Sequence, residues 1–582
     1  MAERIGRVEA KAADARNSAQ ARESYVHARE NSSQARESGV HAREDSSQAQ
    51  ESGVHARESY AHAQENVDER GRRALRQLIG TPEPDTAEKL AVYSPLTGSR
   101  IGALPVATPQ DIAETARRAR VAQQAWAATP ISQRVRVLRS YQTLVWREQD
   151  ALLDLIQWES GKARADAFEE LADTAMTARY YANTAARHLA DRRRRGAIPL
   201  LTDTQIHRHP KGLVAVIAPW NYPLTLAVSD AIPALAAGNA VVVKPASLTP
   251  YTALAARHLL VRSGLDPDLF QVVIGSGSTV GAALVDEADY LMFTGSSQVG
   301  AKVAAQAAGA LIGASAELGG KNALIVRGDA DIARAVRGAI KACFSNAGQL
   351  CISIERMYVH RAVWDRFVPA FAEAVNELRV GTGLDWDSDL GVLIDSRQLE
   401  KVRAHVDEAL AKGAVALAGG TPLPAIGPTA FAPTVLTGVT EEMRVYREET
   451  FGPVVAVYPF ADDAEAVRLA NNTQYGLNAS IWTRDVRYGR AMARQIQAGT
   501  VNINDGYTAA WASLAAPMGG MKSSGLGRRH GAEGILKYTE SQTIAAQRAM
   551  GIQAPGSVGA EKWARAMRLF LRAAARIPGY GR

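Results

Sequence analysis

The chain predicts an α/β protein built on two parallel, doubly wound sheets. Three observations carry that prediction. From residue 213 onward, apolar runs of strand length alternate with Ala-rich helical stretches. A second series of such runs starts at "NALIVRG" (322–328). Helical periodicity fills the region before both, from residue 111 to about 189. Strands covered by helices on both faces have no solvated side, so they read as near-continuous apolar runs rather than alternating ones.

Composition bounds the class. At 582 residues, 47% apolar and 22% charged, the chain is long enough for two or three domains and a large core. Its two cysteines, at 343 and 351, cannot make a disulfide framework and suit a reducing compartment. They lack the paired spacing of a zinc site, and the 11 histidines are scattered, so no metal is expected. The formal charge of +7 comes partly from "DRRRRG" (191–196), "GRRHG" (527–531) and a basic tail, and reads as solvated surface. No aromatic and basic residues interleave as a nucleic-acid groove requires. No apolar run approaches about 20 residues and the N-terminus has no apolar segment, so neither a membrane span nor a secretory signal is expected. The cytoplasm is the expected compartment.

In chain order, residues 1–66 are a low-complexity, heptad-like repeat: ARESYVH, ARENSSQ, ARESGVH, AREDSSQ, AQESGVH, ARESYAH, AQEN from Ala21. Its apolar places hold Ala, Val or Ser and form no a/d stripe, so the segment cannot bury enough surface to offset its ordering entropy. Residues 67–195 continue as helices such as "DIAETARRARVAQQAWAA" (111–128). The first sheet draws on "LVAVIAPW", "NAVVVKPA", "FQVVIG" and "YLMFTGS", with helices between, through residue 317. The second, over 318–505, draws on "NALIVRG", "FAPTVL", "VVAVYPF" and "AGTVNIN". Residues 196–212 and 533–548 alternate polar and apolar residues as edge strands do. The basic tail, 549–582, holds an amphipathic helical pattern from Ala560, expected to pack on protein rather than on a membrane surface.

Two glycine loops suit a dinucleotide. Gly275-Ser-Gly277-Ser-Thr-Val-Gly281 follows a strand, but its last gap is a residue too long for the usual fingerprint. In "LMFTGSSQVG", Gly295 and Ser296 end a strand and Gly300 lies where a helix starts, whose free amides could hold a diphosphate. The eight-residue separation of the cysteines leaves open a redox pair, a nucleophile or two buried thiols.

Six motifs then occur in order: "PWNYP" (219–223), "KPASLTP" (244–250), "FTGSSQVG" (293–300), "ELGGKN" (317–322), "FSNAGQLC" (344–351) and "EETFGP" (448–453). Together they resemble the aldehyde dehydrogenase superfamily over residues 70 to 545, most closely the bacterial, actinobacterial-type succinate-semialdehyde dehydrogenases. The resemblance implies a Rossmann-like cofactor domain (67–195 and 213–317), a catalytic α/β domain (318–505) and a small β-strand oligomerisation arm (196–212 and 533–548). A homodimer or homotetramer is implied with it. Cys351 matches the family nucleophile, leaving Cys343 as a core residue. Asn221 matches the side-chain donor to the developing oxyanion, and Glu317 the base that activates water. Lys244 and Ser247 match the adenosine-ribose contacts. Relatives that prefer NAD often carry Glu where Ser247 stands, so NADP is favoured over NAD. Glu449 matches the contact to the nicotinamide ribose, with Phe451 and Trp220 beside the ring.

Substrate recognition is less legible. Succinate semialdehyde carries a far carboxylate that wants an arginine or hydroxyls. Many of its oxidisers carry an arginine six residues before the nucleophile, where this chain has Ser345. Arg187, Ser345 and Ser513 are the candidate substrate contacts, with Arg164 a further cation. The alternatives are an enzyme for another aliphatic or aromatic aldehyde, a coenzyme-A-acylating relative that the retained Glu317 disfavours, and a non-catalytic protein that keeps the fold.

Overall fold

The computed structural model describes residues 64–80, 89–195, 202–548, 553–554 and 556–576. All but the last three residues of the expected repeat segment therefore lie outside the described residues. The described elements all belong to one unit, Gln64–Arg582.

A helix at 64–79 leads to a hairpin of β1 (Lys89–Tyr93) and β2 (Arg100–Pro105). Four long helices follow, Pro109–Ala128, Ile131–Arg147, Gln149–Ser160 and Arg164–Leu189. The first opens on a capping box: the Thr108 hydroxyl accepts from the Asp111 amide while the Asp111 carboxylate accepts from Thr108. Gly161 ends the third in a left-handed turn, φ 77°. β3 (Arg192–Arg195) and β4 (Thr202–Pro210) then leave the body.

The first sheet is built from β5 (Leu213–Ile217), β6 (Ala240–Lys244), β7 (Phe270–Val272), β8 (Tyr290–Thr294) and β9 (Gly313–Glu317), all parallel. The second holds β10 (Asn322–Val326), β11 (Ile354–His360), β12 (Val415–Ala418), β13 (Thr434–Thr437) and β14 (Val454–Phe460). A short β15 (Tyr475–Gly476) precedes β16 (Asn478–Trp482) and β17 (Thr500–Ile503), which complete that sheet. β18 (Met521–Lys522) pairs with β15, and β19 (Gly525–Leu526) lies antiparallel on β9. The orders are β19-β9-β8-β5-β6-β7 and β12-β13-β14-β11-β10-β16-β17. Every residue of β5, β6, β8 and β10 is buried, which is why these runs show no alternation in the sequence.

The first sheet starts at β5, winds to β6 and β7 on one side, then crosses to β8 and β9 on the other. Adjacent strands β5 and β8 thus send their following loops in opposite directions, which opens a crevice at their C-terminal ends.

β20 (Thr539–Gln547) pairs with β4, and β4 with β3, in a separate three-stranded antiparallel sheet. Its limits differ from the edge strands read in the sequence. Arg192–Arg195 joins it, with four exposed arginines blunting the edge. Residues 533–536 belong instead to the helix Gly531–Leu536, because Ile535 and Tyr538 are buried in the body and pairing can start only beyond them. The tail forms a helix, Ala560–Ala574.

Candidate active site

The crevice between β5 and β8 is where the motifs meet. A cavity of about 190 Å³ is lined by Pro219, Trp220 and Asn221 after β5, and by Thr294 at the end of β8 with Gly295 and Ser296 after it. Glu317 from the end of β9, Leu318 and Gly319 form its floor, and Cys351, Gln398, Lys401, Glu449 and Phe451 come from the second sheet's side.

Cys351 is placed by a strained loop. The helix Ile332–Phe344 ends, and Asn346, Ala347 and Gly348 follow in left-handed conformations, φ 52°, 52° and 71°. A Cβ on Gly348 would sit 2.0 Å from the Gly452 carbonyl, so this position admits no side chain. Side-chain amides hold the loop: Asn346 Nδ2 donates to Asn221 O at 3.0 Å, and Asn322 Nδ2 donates to Cys351 O at 2.8 Å. Asn221 Nδ2 donates to Gln349 O at 3.0 Å, which spends one of its two amide hydrogens and leaves the other for a ligand. Behind Asn221, buried Lys162 donates to its carbonyl and to Glu170, each at 2.7 Å.

Cys343 and Cys351 are both free thiols. Cys343 is buried in the core of the second sheet, whereas Cys351 lines the cavity. Burial, then the nearby Glu317 and Glu449 carboxylates, push the Cys351 thiol up to about 12. Burial also pushes Glu317 up to about 7, although Arg529 and Lys537 pull it down. Glu449 is pushed up to about 7 by burial and by the repulsion of Glu355.

The residues expected to hold a nicotinamide cofactor fit one. Trp220 and Phe451 meet edge to face at 5.5 Å and 89°, an apolar slot for a planar ring. Phe451 is held at φ 57° because Glu355 accepts from its amide at 2.9 Å and Gln398 Nε2 donates to its carbonyl at 2.7 Å. Glu449 accepts from the Gly320 amide through one oxygen, at 2.8 Å, and its other lies against Gly319, where a Cβ would come within 2.5 Å. Lys244 is buried with its ammonium, among the described residues, donating only to Pro245 O, at 3.0 Å, and that burial lowers it to about 8. Such a poorly compensated cation suits sugar hydroxyls or a phosphate. The Ser247 hydroxyl donates to Gly275 O at 3.2 Å, which ties the loose glycine loop to the Lys244 loop. Ser296 caps the helix Ser297–Gly309, and Gly300 packs so tightly on Leu318 that a Cβ would meet it at 2.3 Å. A cavity of about 190 Å³ is smaller than the roughly 300–1,000 Å³ of sites that enclose whole ligands, so a dinucleotide would extend out of it across the open cleft toward Lys244.

The substrate candidates are not brought together. Arg187 is exposed in the last turn of the helix Arg164–Leu189, which at about 1.5 Å per residue carries it toward the three-stranded sheet and away from the cavity. Arg164, at the other end, is buried and spent on Asp154 at 2.6 Å. Ser513 is exposed and donates to Ala509 O. Ser345 is buried with its hydroxyl 2.9 Å from that of Tyr507; Tyr507 is also 2.9 Å from Glu169 and has one hydrogen for the two, and Glu169 pairs with Lys341. Tyr222 and Tyr507 both pack on Trp511, at 6.3 Å. Sequence reading missed Gln398 and Lys401: they lie on the helix Ser396–Ala411, whose pattern is that of an ordinary surface helix.

A parallel sheet with a switch-point crevice, facing a thiol, an amide and a buried carboxylate, defines a dinucleotide-dependent enzyme that works through a cysteine. The profile of the aldehyde dehydrogenase family matches residues 83–544, and the chain belongs to that family. It is 50% identical over 505 residues to a Mycolicibacterium smegmatis protein provisionally named succinate-semialdehyde dehydrogenase (NADP+), covering 87% of this chain and 98% of that one. The crystal structure of succinate-semialdehyde dehydrogenase from Burkholderia pseudomallei is similar at 36% identity and TM-score 0.76, over 81% of this chain and 97% of that one. An NADP-dependent enzyme of E. coli superposes with TM-score 0.77 at 34% identity, over the same shares of the two chains.

Proposed function

We propose that this aldehyde dehydrogenase oxidises succinate semialdehyde to succinate with NADP, through Cys351. The carrying observation is that Cys351, Asn221 and Glu317 face one cavity, with the Glu317 carboxylate raised to about 7. When bound, the oxidised nicotinamide supplies a hydride acceptor and a positive charge beside a thiol that is protonated at rest.

The Cys351 thiol gives its proton to the Glu317 carboxylate, which passes it to solvent, as the sulfur adds to the aldehyde carbon and the carbonyl electron pair moves onto oxygen. That oxyanion is received by the spare Asn221 amide hydrogen and the Cys351 backbone amide. Loss of hydride from the same carbon leaves a thioester on Cys351. Glu317 then takes a proton from water as the water oxygen bonds to the thioester carbon, and the carbon–sulfur bond breaks to release the acid. For the far carboxylate of the substrate, the Tyr507–Ser345 hydroxyl pair and Lys341 are the polar groups near the nucleophile loop. The names of the similar mycobacterial and Burkholderia proteins support this substrate, and the serine at 247 supports NADP. Arg187 has no part in this reading.

Purified protein should reduce NADP faster than NAD with succinate semialdehyde, followed as reduced cofactor, and Cys351→Ala should remove all turnover. Faster turnover with hexanal or benzaldehyde would keep the mechanism and reject the substrate.

A further inference from the structure

We propose that the buried Lys162–Glu170 pair is a positioning device for the reaction: it holds Asn221 so that the spare amide hydrogen of that side chain meets the oxygen of the reacting aldehyde. The inference rests on the reading of Asn221 as the oxyanion donor. Neither side chain of the pair is exposed to solvent. Asn221 stands in the irregular stretch between β5, which ends at Ile217, and the helix Pro223–Val228, so no sheet ladder or helix fixes its backbone. It is 4% exposed, and a buried carbonyl left without a donor is costly.

The pair grips this stretch at two points. Lys162 Nζ donates to Asn221 O and to Glu170 Oε2, each at 2.7 Å, and lies 3.9 Å from the centre of the Tyr222 ring. Glu170 Oε1 accepts from the amides of Leu224 and, at 3.1 Å, Thr225, in the first turn of the helix that follows. Asn346 Nδ2 adds a second donor to Asn221 O, at 3.0 Å. The other end of Asn221 is tied to the same frame. Its Nδ2 donates to Gln349 O at 3.0 Å, Gln349 Nε2 to Val392 O at 3.3 Å, and the Val392 amide to Gly161 O at 2.8 Å, next to Lys162. These bonds close a ring through Lys162, Asn221, Gln349, Val392 and Gly161, which anchors Asn221 at its carbonyl and at its side chain.

Energetics favour a role in placement over one in stability. A buried ion pair adds little over an apolar pair of the same volume, because both charges lose their hydration. Charge-assisted hydrogen bonds are short and strongly directed, which is what a donor aimed at a developing charge needs from its support. A reacting group displaced by about 1 Å loses on the order of a hundredfold in rate. Neither Lys162 nor Glu170 lines the cavity, so their effect on the chemistry runs through Asn221.

The test is a mutant cycle on the full-length protein. It is read by stopped flow as the rate of the first turnover of NADP to its reduced form, with the aldehyde that the parent oxidises fastest. Lys162→Met alone leaves the Glu170 charge buried and unpaired, so the pair is removed together, as Lys162→Met with Glu170→Gln, which keeps an acceptor for the Leu224 and Thr225 amides. This variant should slow the first turnover at least tenfold, with NADP binding by fluorescence titration and the circular dichroism spectrum unchanged. In an Asn221→Ala background the same two changes should slow it less than twofold further. A further tenfold loss in that background, or a changed spectrum, would overturn the proposal in favour of a general structural role. An unchanged rate in the parent background would overturn it outright. An unchanged rate for Asn221→Ala alone would instead reject the oxyanion reading of Asn221, and the proposal with it.

Discussion

In the proposed mechanism, Asn221, Cys351 and Glu317 divide the chemistry by what their surroundings do to them. Truncating Asn221 to Ala should lower kcat with succinate semialdehyde by about 10²–10³ while leaving NADP binding, read by fluorescence titration, unchanged. In that mechanism Glu317 works only as the carboxylate. Its value is raised from 4.5 to about 7, so the base is lost as pH falls through about 7, and kcat should fall with it. Glu317→Gln should flatten that limb and accumulate a thioester visible by intact mass. The same shift sets a stability effect: folding favours the protonated form, so this contribution is full below about 4.5 and lost as pH rises through about 7. Glu317→Gln should therefore raise Tm at pH 8 and not at pH 4.5, by the equivalent of at most about 3 kcal/mol. Ser247→Glu places a carboxylate where a 2′-phosphate would lie; steady-state kinetics should show kcat/KM for NADP falling at least tenfold with that for NAD retained.

At the scale of elements, the segment 345–351 is the least replaceable part of the fold. It turns from a helix into Cys351 through three left-handed residues, a conformation that costs about 1–3 kcal/mol at each non-glycine position and persists because surrounding groups over-determine it. Asn346, Asn322 and Gln349 supply those groups. Gly348→Ala forces a Cβ to 2.0 Å from the Gly452 carbonyl, and the Glu449–Phe451 turn lies on the same stretch. The variant should lose several kcal/mol of stability, measured by urea unfolding, and most of its cofactor binding. Gly309→Ala, at the end of a helix with nothing within 4 Å of the added Cβ, should stay within about 1 kcal/mol of the parent.

On the scale of the whole molecule, the two sheets form one crevice and the three-stranded sheet stands apart from it. Its two edges differ. β3 is blunted by four arginines, whereas β20 has no further described strand beside it and carries Ile544 at 42% exposure. A homo-oligomer assembled through β20 is the arrangement this asymmetry favours. Ile544→Asp should then lower the mass found by analytical ultracentrifugation, and an unchanged mass would place the interface elsewhere.

Much of the site was legible because its chemistry sits in short motifs. The glycines of "ELGGKN" and "FSNAGQLC" mark places where backbone approaches backbone or carboxylate, and the apolar runs mark strands buried on both faces. The helix carrying Gln398 and Lys401 bears no such mark, since a residue that lines a cleft from a solvent-facing helix keeps the pattern of a surface helix. Arg187 is the complementary case: its residue type suits a carboxylate, but a long helix carries it away from the cavity. The sequence by itself determined the α/β class and the dehydrogenase family, and it named the thiol, amide and carboxylate for which a catalytic role is proposed. That Arg187 lies away from the cavity, which strand edge stays open and how far Glu317 and Cys351 shift were decided only by the tertiary structure, because burial and distance between remote segments are set by packing and not by order along the chain.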